Sequence, residues 1–192
     1  MTAALERCFE RVGVRPRRVA LVLPDLCAKV SLVRFDAVPP KRSDLDQLIR
    51  WQIRKGSPFP IEDAVITWTP GAVGADAGHE YLVVSARRQV VAEYERACES
   101  VRAHAGLVDL STLCLANFLI AGGATTGDTL VVHAGARSSA MVILRSGHPI
   151  FFRNRSEGEG ELLADLVHQT AMYYQDRLGG QGFGSVLLAG EG

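Results

Sequence analysis

The chain has 192 residues, of which 47% are hydrophobic and 22% are charged. This length and composition suit one globular domain or two small lobes with a sizeable core. Basic and acidic residues both number 21, so the formal charge is zero and we expect no nucleic-acid partner. No apolar run reaches the roughly 18 residues of a membrane span, so we expect no transmembrane segment.

The first part of the chain predicts a helix, two strands and a second helix. Residues 3–12 carry apolar side chains at helical spacing, and Gly13 ends this helix. In the second helix, Ser43 is the predicted cap, with Asp46 three residues on as a shortened capping box. The strands between the two helices are predicted at 18–24 and 28–35.

The rest of the chain continues to alternate strands with helices, which predicts an α/β class. The predicted strands are 64–70, 80–86, 107–110, two or three strands within 129–156, and a last strand from 185. The predicted helices are 87–105, 111–120 with Ser111 as its cap, and 159–178, where Glu157 and Glu159 complement the helix dipole. Small residues at 121–128 mark a boundary between lobes.

The four cysteines are far apart and form no CxxC pair. Their apolar neighbours favour buried, reduced thiols over a zinc site or a disulfide. They are Cys8, Cys27, Cys98 and Cys114.

The tight turn "HAGARSS" after a predicted strand is typical of a phosphate-binding hairpin, with small residues, free backbone amides and one arginine. His133 stands there where a nucleotide site would have an acid to hold a metal, although a lone histidine is more often structural than a ligand. Asp109 lies between a predicted strand and a predicted helix, and its carboxylate is a candidate metal ligand. The helix dipole alone would also explain it.

A second distinctive segment is "RWQIRKGSPFP" at 50–60. The prolines fix the direction of Phe59 after a helix that carries Arg50, Trp51 and Arg54. Exposed aromatic and arginine side chains together are typical of a partner-binding patch. The alternative is that Trp51 and Phe59 fill the core of a small lobe.

Five stretches, in this order, resemble the PilM-type actin-like proteins of type IV pilus assembly and the related GspL cytoplasmic domains of type II secretion. Each is a weak match alone, and the fixed order makes the whole more specific. The stretches are "VALVLPD" (19–25), residues 48–68 with the Pro-Phe-Pro segment, residues 81–119, residues 130–166 with the hairpin, and "VLLAGEG" (186–192).

The resemblance implies an actin-like fold, in which two RNase H-like lobes flank a nucleotide cleft. A small α+β subdomain, at about 25–105, would be inserted in the first lobe. The first lobe would be 1–122, without its N-terminal phosphate hairpin, and 123–192 would begin the second lobe. We therefore expect a chain that is incomplete relative to the family, either as a fragment or as a reduced version.

The sequence departs from the family at three places. The N-terminal "Asp-x-Gly" phosphate motif is absent, His133 replaces an aspartate, and Glu191 replaces the second glycine of the adenosine motif. Phosphate needs converging amides and Mg²⁺ needs oxygen ligands, so we expect no tight ATP binding. The residues of this vestigial nucleotide site are Gly135, Ala136, Arg137, Ser138 and Gly190.

The resemblance implies a non-enzymatic scaffold at the cytoplasmic face of the bacterial inner membrane. It would bind the cytoplasmic tail of a bitopic PilN-like or GspM-like protein, with no metal and no catalytic residue. The missing hairpin would leave a sheet edge to which a partner strand or a second copy of the chain could pair. The alternative is a nucleotide-dependent ATPase or kinase of the actin-like superfamily, with Asp109 as its metal or base residue.

Overall fold

A computed structural model describes residues 1–73, 78–125, 127–156 and 162–190. These residues form five α-helices and nine β-strands, which confirms the predicted α/β class. The helices are α1 (Thr2–Val12), α2 (Arg42–Arg54), α3 (Arg88–Ser100), α4 (Ser111–Ala121) and α5 (Leu163–Leu178). The strands are β1 (Arg18–Leu23), β2 (Ala28–Phe35), β3 (Ala64–Val73), β4 (His79–Arg87), β5 (His104–Leu110), β6 (Thr129–Gly135), β7 (Ser138–Arg145), β8 (His148–Ser156) and β9 (Ser185–Gly190).

The described strands form three sheets. Strands β1 and β5 pair in parallel, and β2–β4–β3 form an antiparallel sheet. The third sheet has the order β8–β7–β6–β9, in which only the β6–β9 pair is parallel. Ser146 and Gly147 both have positive φ in the two-residue turn between β7 and β8, as a type I′ hairpin requires.

The two inner strands of the four-stranded sheet are buried on both faces, which explains the continuous apolar runs of β6 and β7. Alternate residues such as Leu130 and Val132 pack against Leu166 and Tyr174 of α5. The intervening residues, among them Val131, pack against α4. Helices α4 and α5 therefore enclose this sheet.

The three-stranded sheet packs one face against α2. Ile49 of α2 is fully buried beside Val83 and Tyr81 of β4. Trp68 on β3 lies edge-on to the Tyr81 ring, with 5.3 Å between the ring centroids. The apolar face of α2 and the inward-facing residues of β4 thus form one core.

A further core joins the sheets. Leu23 and Leu110, at the carboxyl ends of β1 and β5, pack with Leu82 of β4 and Leu113 of α4. Phe152 of β8 lies against this cluster and also against the α4 face of the four-stranded sheet. The carboxyl ends of β1 and β5 therefore lie at the junction of all three sheets.

Two predicted helix caps are wrong. Lys41 precedes α2, and Ser43 lies inside the helix, where its hydroxyl donates to Asp44. Asp46 accepts a hydrogen bond from the Trp68 indole instead of closing a capping box. Ser111 is likewise inside α4 and donates to the Leu23 carbonyl oxygen at 2.9 Å. Asp46 and Ser111 are thus engaged by tertiary partners, whereas Ser43 bonds to its neighbour in the sequence.

The predicted helix 87–105 is too long. Helix α3 ends at Ser100, Arg102 adopts a left-handed φ of 62°, and β5 begins at His104. Pairing of His104 with Arg18 of β1 stabilises the longer strand. Helix α5 begins at Leu163 rather than 159, and Glu157 and Glu159 lie outside the described residues.

The four cysteines are free thiols, as predicted, but only Cys98 is buried. Cys8 is exposed on α1, whose residues are all at least partly accessible. In the described part of the chain, no helix combines the length and the apolar character needed to cross a bilayer.

Candidate functional site

The predicted phosphate hairpin is a plain two-residue turn. Gly135 of β6 pairs with Ser138 of β7, and Ala136 and Arg137 connect them. Arg137 lies near Tyr94 of α3, where its positive charge opposes an increase in the tyrosine pKa. Burial and the contact with Cys27 outweigh it and raise the pKa of Tyr94. Arg137 itself is exposed.

The most constrained polar cluster is centred on Asp25, which is 2% exposed. Its carboxylate accepts hydrogen bonds from the backbone N–H and the hydroxyl of Thr112, at 3.1 and 2.7 Å. Helix α4 has no side-chain cap of its own. Asp25, which follows β1, therefore caps α4 from a distant part of the sequence, where a carboxylate also complements the helix dipole.

His133 belongs to this cluster. Its Nδ1 atom lies 3.4 Å from Oδ2 of Asp25 and 3.3 Å from Oγ1 of Thr112. Because the Thr112 hydroxyl donates its hydrogen to Asp25, His133 makes these contacts as a donor when Nδ1 carries hydrogen. The prediction that His133 is structural agrees with this position.

Asn154 of β8 completes the cluster by donating to the Asp25 carbonyl oxygen at 2.8 Å. Four parts of the chain thus meet at one buried aspartate. Asp25, Thr112 and Asn154 were not among the residues predicted from the sequence. A signal was present, since Asp25 directly follows an apolar stretch that ends in Leu-Pro, but its partners lie 87 or more residues away.

An open cleft of about 400 Å³ lies beside this cluster. We call it the β9 cleft, and no lysine or arginine is among its described lining residues. The lining residues are Val22, Ser111, Cys114, Leu115, His133, Ala189 and Gly190. Of the predicted nucleotide-site residues, Gly190 reaches this cleft, as does His133, whereas 135–138 are not part of its described lining.

Gly190 is required by packing at the end of β9. It pairs with Ala134 of β6 at a φ of 142°. A Cβ atom at Gly190 would overlap the Ala134 carbonyl oxygen. The close approach of two backbones therefore explains this glycine without a ligand. Glu191 and Gly192 lie outside the described residues.

Asp109 is engaged within its own strand–helix connection. Its carboxylate accepts from the Leu110 N–H at 2.8 Å and from the Cys114 thiol at 3.4 Å. Burial, followed by the charge of Asp109, raises the pKa of Cys114 to about 11, so this thiol stays protonated at neutral pH. Among the described residues, no group of three or more His, Cys, Asp or Glu side chains could hold a metal ion.

The predicted patch on α2 divides into two parts. Trp51 is 68% exposed on the solvent face with Arg50 and Arg54, so a core position for Trp51 is excluded. Phe59 is half-buried, and the guanidinium of Arg87 lies 5.5 Å from its ring centroid. No described contact joins Phe59 to Trp51, and partner binding by these residues stays a prediction.

A crevice of about 200 Å³ opens where the β1–β5 pair, the three-stranded sheet and α3 meet. We call it the apolar crevice. Its walls include Leu23, Val65, Val84 and Val91, together with two carboxylates, Glu95 and Asp109. Apolar walls with a few charged groups are typical of a ligand-binding site.

Comparison with solved structures identifies the architecture. The chain superimposes on a chain of a PilM–PilN type IV pilus biogenesis complex with a TM-score of 0.69 and 19% identity, over 91% of its own length. The chain has an actin-like fold. A Bacteroides thetaiotaomicron protein of unknown function with an actin-like ATPase fold matches over 99% of this chain, with a TM-score of 0.57 and 7% identity.

The cytoplasmic domain of EpsL, an inner-membrane component of the type II secretion system of Vibrio cholerae, matches over 95% of this chain, with a TM-score of 0.59 and 12% identity. The predicted actin-like fold is therefore confirmed. The chain spans 57%, 67% and 65% of the lengths of these three matched chains, in the order given. No protein-family model and no curated protein matches the sequence.

Proposed function

We propose that this chain is a non-enzymatic scaffold of a type IV pilus or type II secretion platform. It lies at the cytoplasmic face of the inner membrane and binds the cytoplasmic tail of a bitopic PilN-like protein. The observation that carries this proposal is the structural likeness to a PilM–PilN complex, at a TM-score of 0.69 over 91% of the chain. The EpsL likeness supports the same kind of platform.

The apolar crevice is the surface that best suits such a tail. Val65, Val84 and Val91 offer it apolar contacts from two strands and a helix. Glu95 and Asp109 add negative charge at the same place. The chemistry favours an apolar segment that carries a basic residue, because a cation on the tail would then meet these carboxylates.

The β9 cleft supports a role without nucleotide turnover. Its described lining offers no cation for phosphate charge, and the hydrogen bonds of Asp109 are formed within its own strand–helix connection. Because phosphoryl transfer depends on cationic and metal stabilisation, this lining is a poor site for it. We propose that ATP is not a cofactor of this chain.

Titration calorimetry with the N-terminal cytoplasmic tail of a PilN-like protein tests the proposal. We expect Glu95→Lys, which reverses one charge of the apolar crevice, to weaken binding about fivefold or more. Trp51→Ala tests the alternative surface on α2, and a tail that lies in the apolar crevice should bind this variant like the parent protein.

Two outcomes of this titration would contradict part or all of the proposal. If only Trp51→Ala weakens binding, the tail lies on α2 and the crevice assignment is wrong. If no such tail binds the parent protein at concentrations up to about 1 mM, the scaffold proposal itself fails.

A further inference from the structure

A groove of about 540 Å³ runs along the beginning of α3, on a different side of this helix from the apolar crevice. We call it the basic groove. Val91 and Glu95 face the crevice, whereas Arg88 and Arg96 face the groove. The full lining is Asp63, Arg87, Arg88, Gln89, Ala92 and Arg96. Three arginines and one aspartate give this surface a positive charge in a chain whose formal charge is zero.

The three arginines are positioned by contacts with neutral groups. Arg87 lies over the Phe59 ring, and Arg88 donates to the Ala64 carbonyl oxygen at 3.1 Å. Arg96 donates to the Ala92 carbonyl oxygen through Nε, also at 3.1 Å. Among the described residues, none of these guanidinium groups forms a salt bridge. Each uses only part of its five N–H donors, so each retains donors for an anion.

The surrounding charges favour an anion here. Helix α3 begins without a side-chain cap and without an acidic residue in its first turn, so the positive end of its dipole adds to the arginines. The nearby Glu93 accepts a hydrogen bond from Gln89 at 3.2 Å. The positive charge of the groove does not come from the helix end alone, because Arg96 lies two turns further along α3. The lining also includes Asp63 from another element.

The spacing of the arginines suits an extended acidic peptide. Arg88 and Arg96 are eight residues apart, which separates them by about 12 Å along the helix axis. An extended peptide rises by about 3.3 Å per residue, so side chains at alternate positions over about four residues cover this distance.

We propose that the basic groove binds an acidic segment of a partner protein in an extended conformation, with carboxylates at alternate positions. Arg88 and Arg96 pair with the outer carboxylates, and Arg87 adds a third cation at the amino end of α3. The Asp63 carboxylate repels further negative charge on the part of the peptide that lies beside it. This surface is separate from the proposed tail-binding crevice, so the chain can hold two partner segments at once.

Fluorescence anisotropy with a labelled peptide of alternating glutamate and alanine tests this inference on the full chain. We expect saturable binding at about 0.15 M salt, weakened at higher salt because the pairs are exposed. Arg96→Gln should weaken binding up to about fivefold, and the Arg88→Gln/Arg96→Gln double variant by about tenfold or more. Asp63→Asn should tighten binding.

The controls use the same charge change elsewhere. Arg177→Gln on α5, outside the groove, should bind like the parent protein. Circular dichroism checks folding, and Arg96→Gln keeps the test valid if loss of the Arg88 contact with Ala64 disturbs the structure. A tail peptide in the apolar crevice should not compete with the acidic peptide.

Three results would overturn the inference. The first is no saturable binding at peptide concentrations up to about 1 mM. The second is binding that the double variant does not change. The third is arginine-dependent binding of pyrophosphate, or of vesicles that contain phosphatidylserine, without binding of the peptide. That result would assign the groove to phosphate or to a lipid surface.

Discussion

Oδ2 of Asp25 lies 3.4 Å from Nδ1 of His133, which connects the residues after β1 to the centre of the four-stranded sheet. The histidine stands where the resemblance to PilM-type proteins implies an acid. An acid at this position would face the buried Asp25 with a second negative charge. The donor at position 133 therefore suits a structural contact between two sheets.

Replacement of Asp25 should destabilise the fold strongly. Asp25→Ala leaves the Thr112 N–H and hydroxyl without their buried acceptor, and we expect a loss of about 2–3 kcal/mol in the free energy of unfolding. Urea denaturation at pH 7 measures it.

A double-mutant cycle with Thr112→Val separates this contact from general disruption. The coupling energy between the two positions should be at least about 1 kcal/mol. Additive effects of the two substitutions would contradict the hydrogen bond between the Thr112 hydroxyl and Asp25.

The Asp128–Arg145 pair should make stability depend on acid pH. Arg145 donates to both carboxylate oxygens, with a shortest distance of 2.7 Å, and the Tyr174 hydroxyl donates to Oδ2 at 2.7 Å. The Arg145 contacts, helped by Tyr174 and opposed by burial, lower the pKa of Asp128. A lowered pKa stabilises the folded state above the ordinary aspartate pKa, and this stabilisation is lost as pH falls through the folded value.

We therefore expect Asp128→Asn to lose about 1.5–3 kcal/mol at pH 7. The difference from the parent protein should narrow below about pH 4. Urea unfolding at pH 7, 5 and 3 measures this difference. The exposed Asp176→Asn is the control, and its free energy of unfolding should stay within about 0.5 kcal/mol of the parent protein. A difference that stays constant with pH would contradict the ion pair.

The sequence predicts the elements better than their contacts. Apolar runs and helical spacing located nearly every strand and helix, because burial on one or two faces leaves a periodic signal. The end of α3 was missed because pairing of His104 with Arg18, 86 positions away, is a tertiary effect. Asp25 was missed for the same reason, since its importance comes from Thr112, which no local spacing reveals.

Gly190→Ala should disturb the β6–β9 pair. Its Cβ would overlap the Ala134 carbonyl oxygen, and its φ of 142° is unfavourable for any other residue. We expect a loss of about 1–3 kcal/mol, measured by thermal or urea unfolding. Gly106→Ala is the control, because its nearest neighbours are flexible atoms of Arg18 at ordinary contact distance. Equal effects of both substitutions would contradict the close approach.

The two tryptophans should respond differently to substitution by phenylalanine. Trp68 donates to Asp46 and lies under the Arg42 guanidinium at 5.0 Å, so Trp68→Phe should cost about 1–2 kcal/mol. Trp51 is exposed, and Trp51→Phe should stay within about 0.5 kcal/mol of the parent. Iodide should quench the fluorescence of Trp51 more than that of Trp68. Stronger quenching of Trp68 would contradict this assignment.

Mg·ATP should not bind this chain tightly. The β9 cleft has no described cation, Arg137 is not part of its described lining, and Gly190 is explained by its approach to Ala134. Too few groups converge to hold phosphates and their metal. Titration calorimetry should detect no binding with a dissociation constant below about 0.1 mM. His133→Asp, which supplies the acid that the resemblance implies, should not restore binding, because the cleft still lacks a cation. Micromolar affinity of the parent protein would show that the site is functional after all.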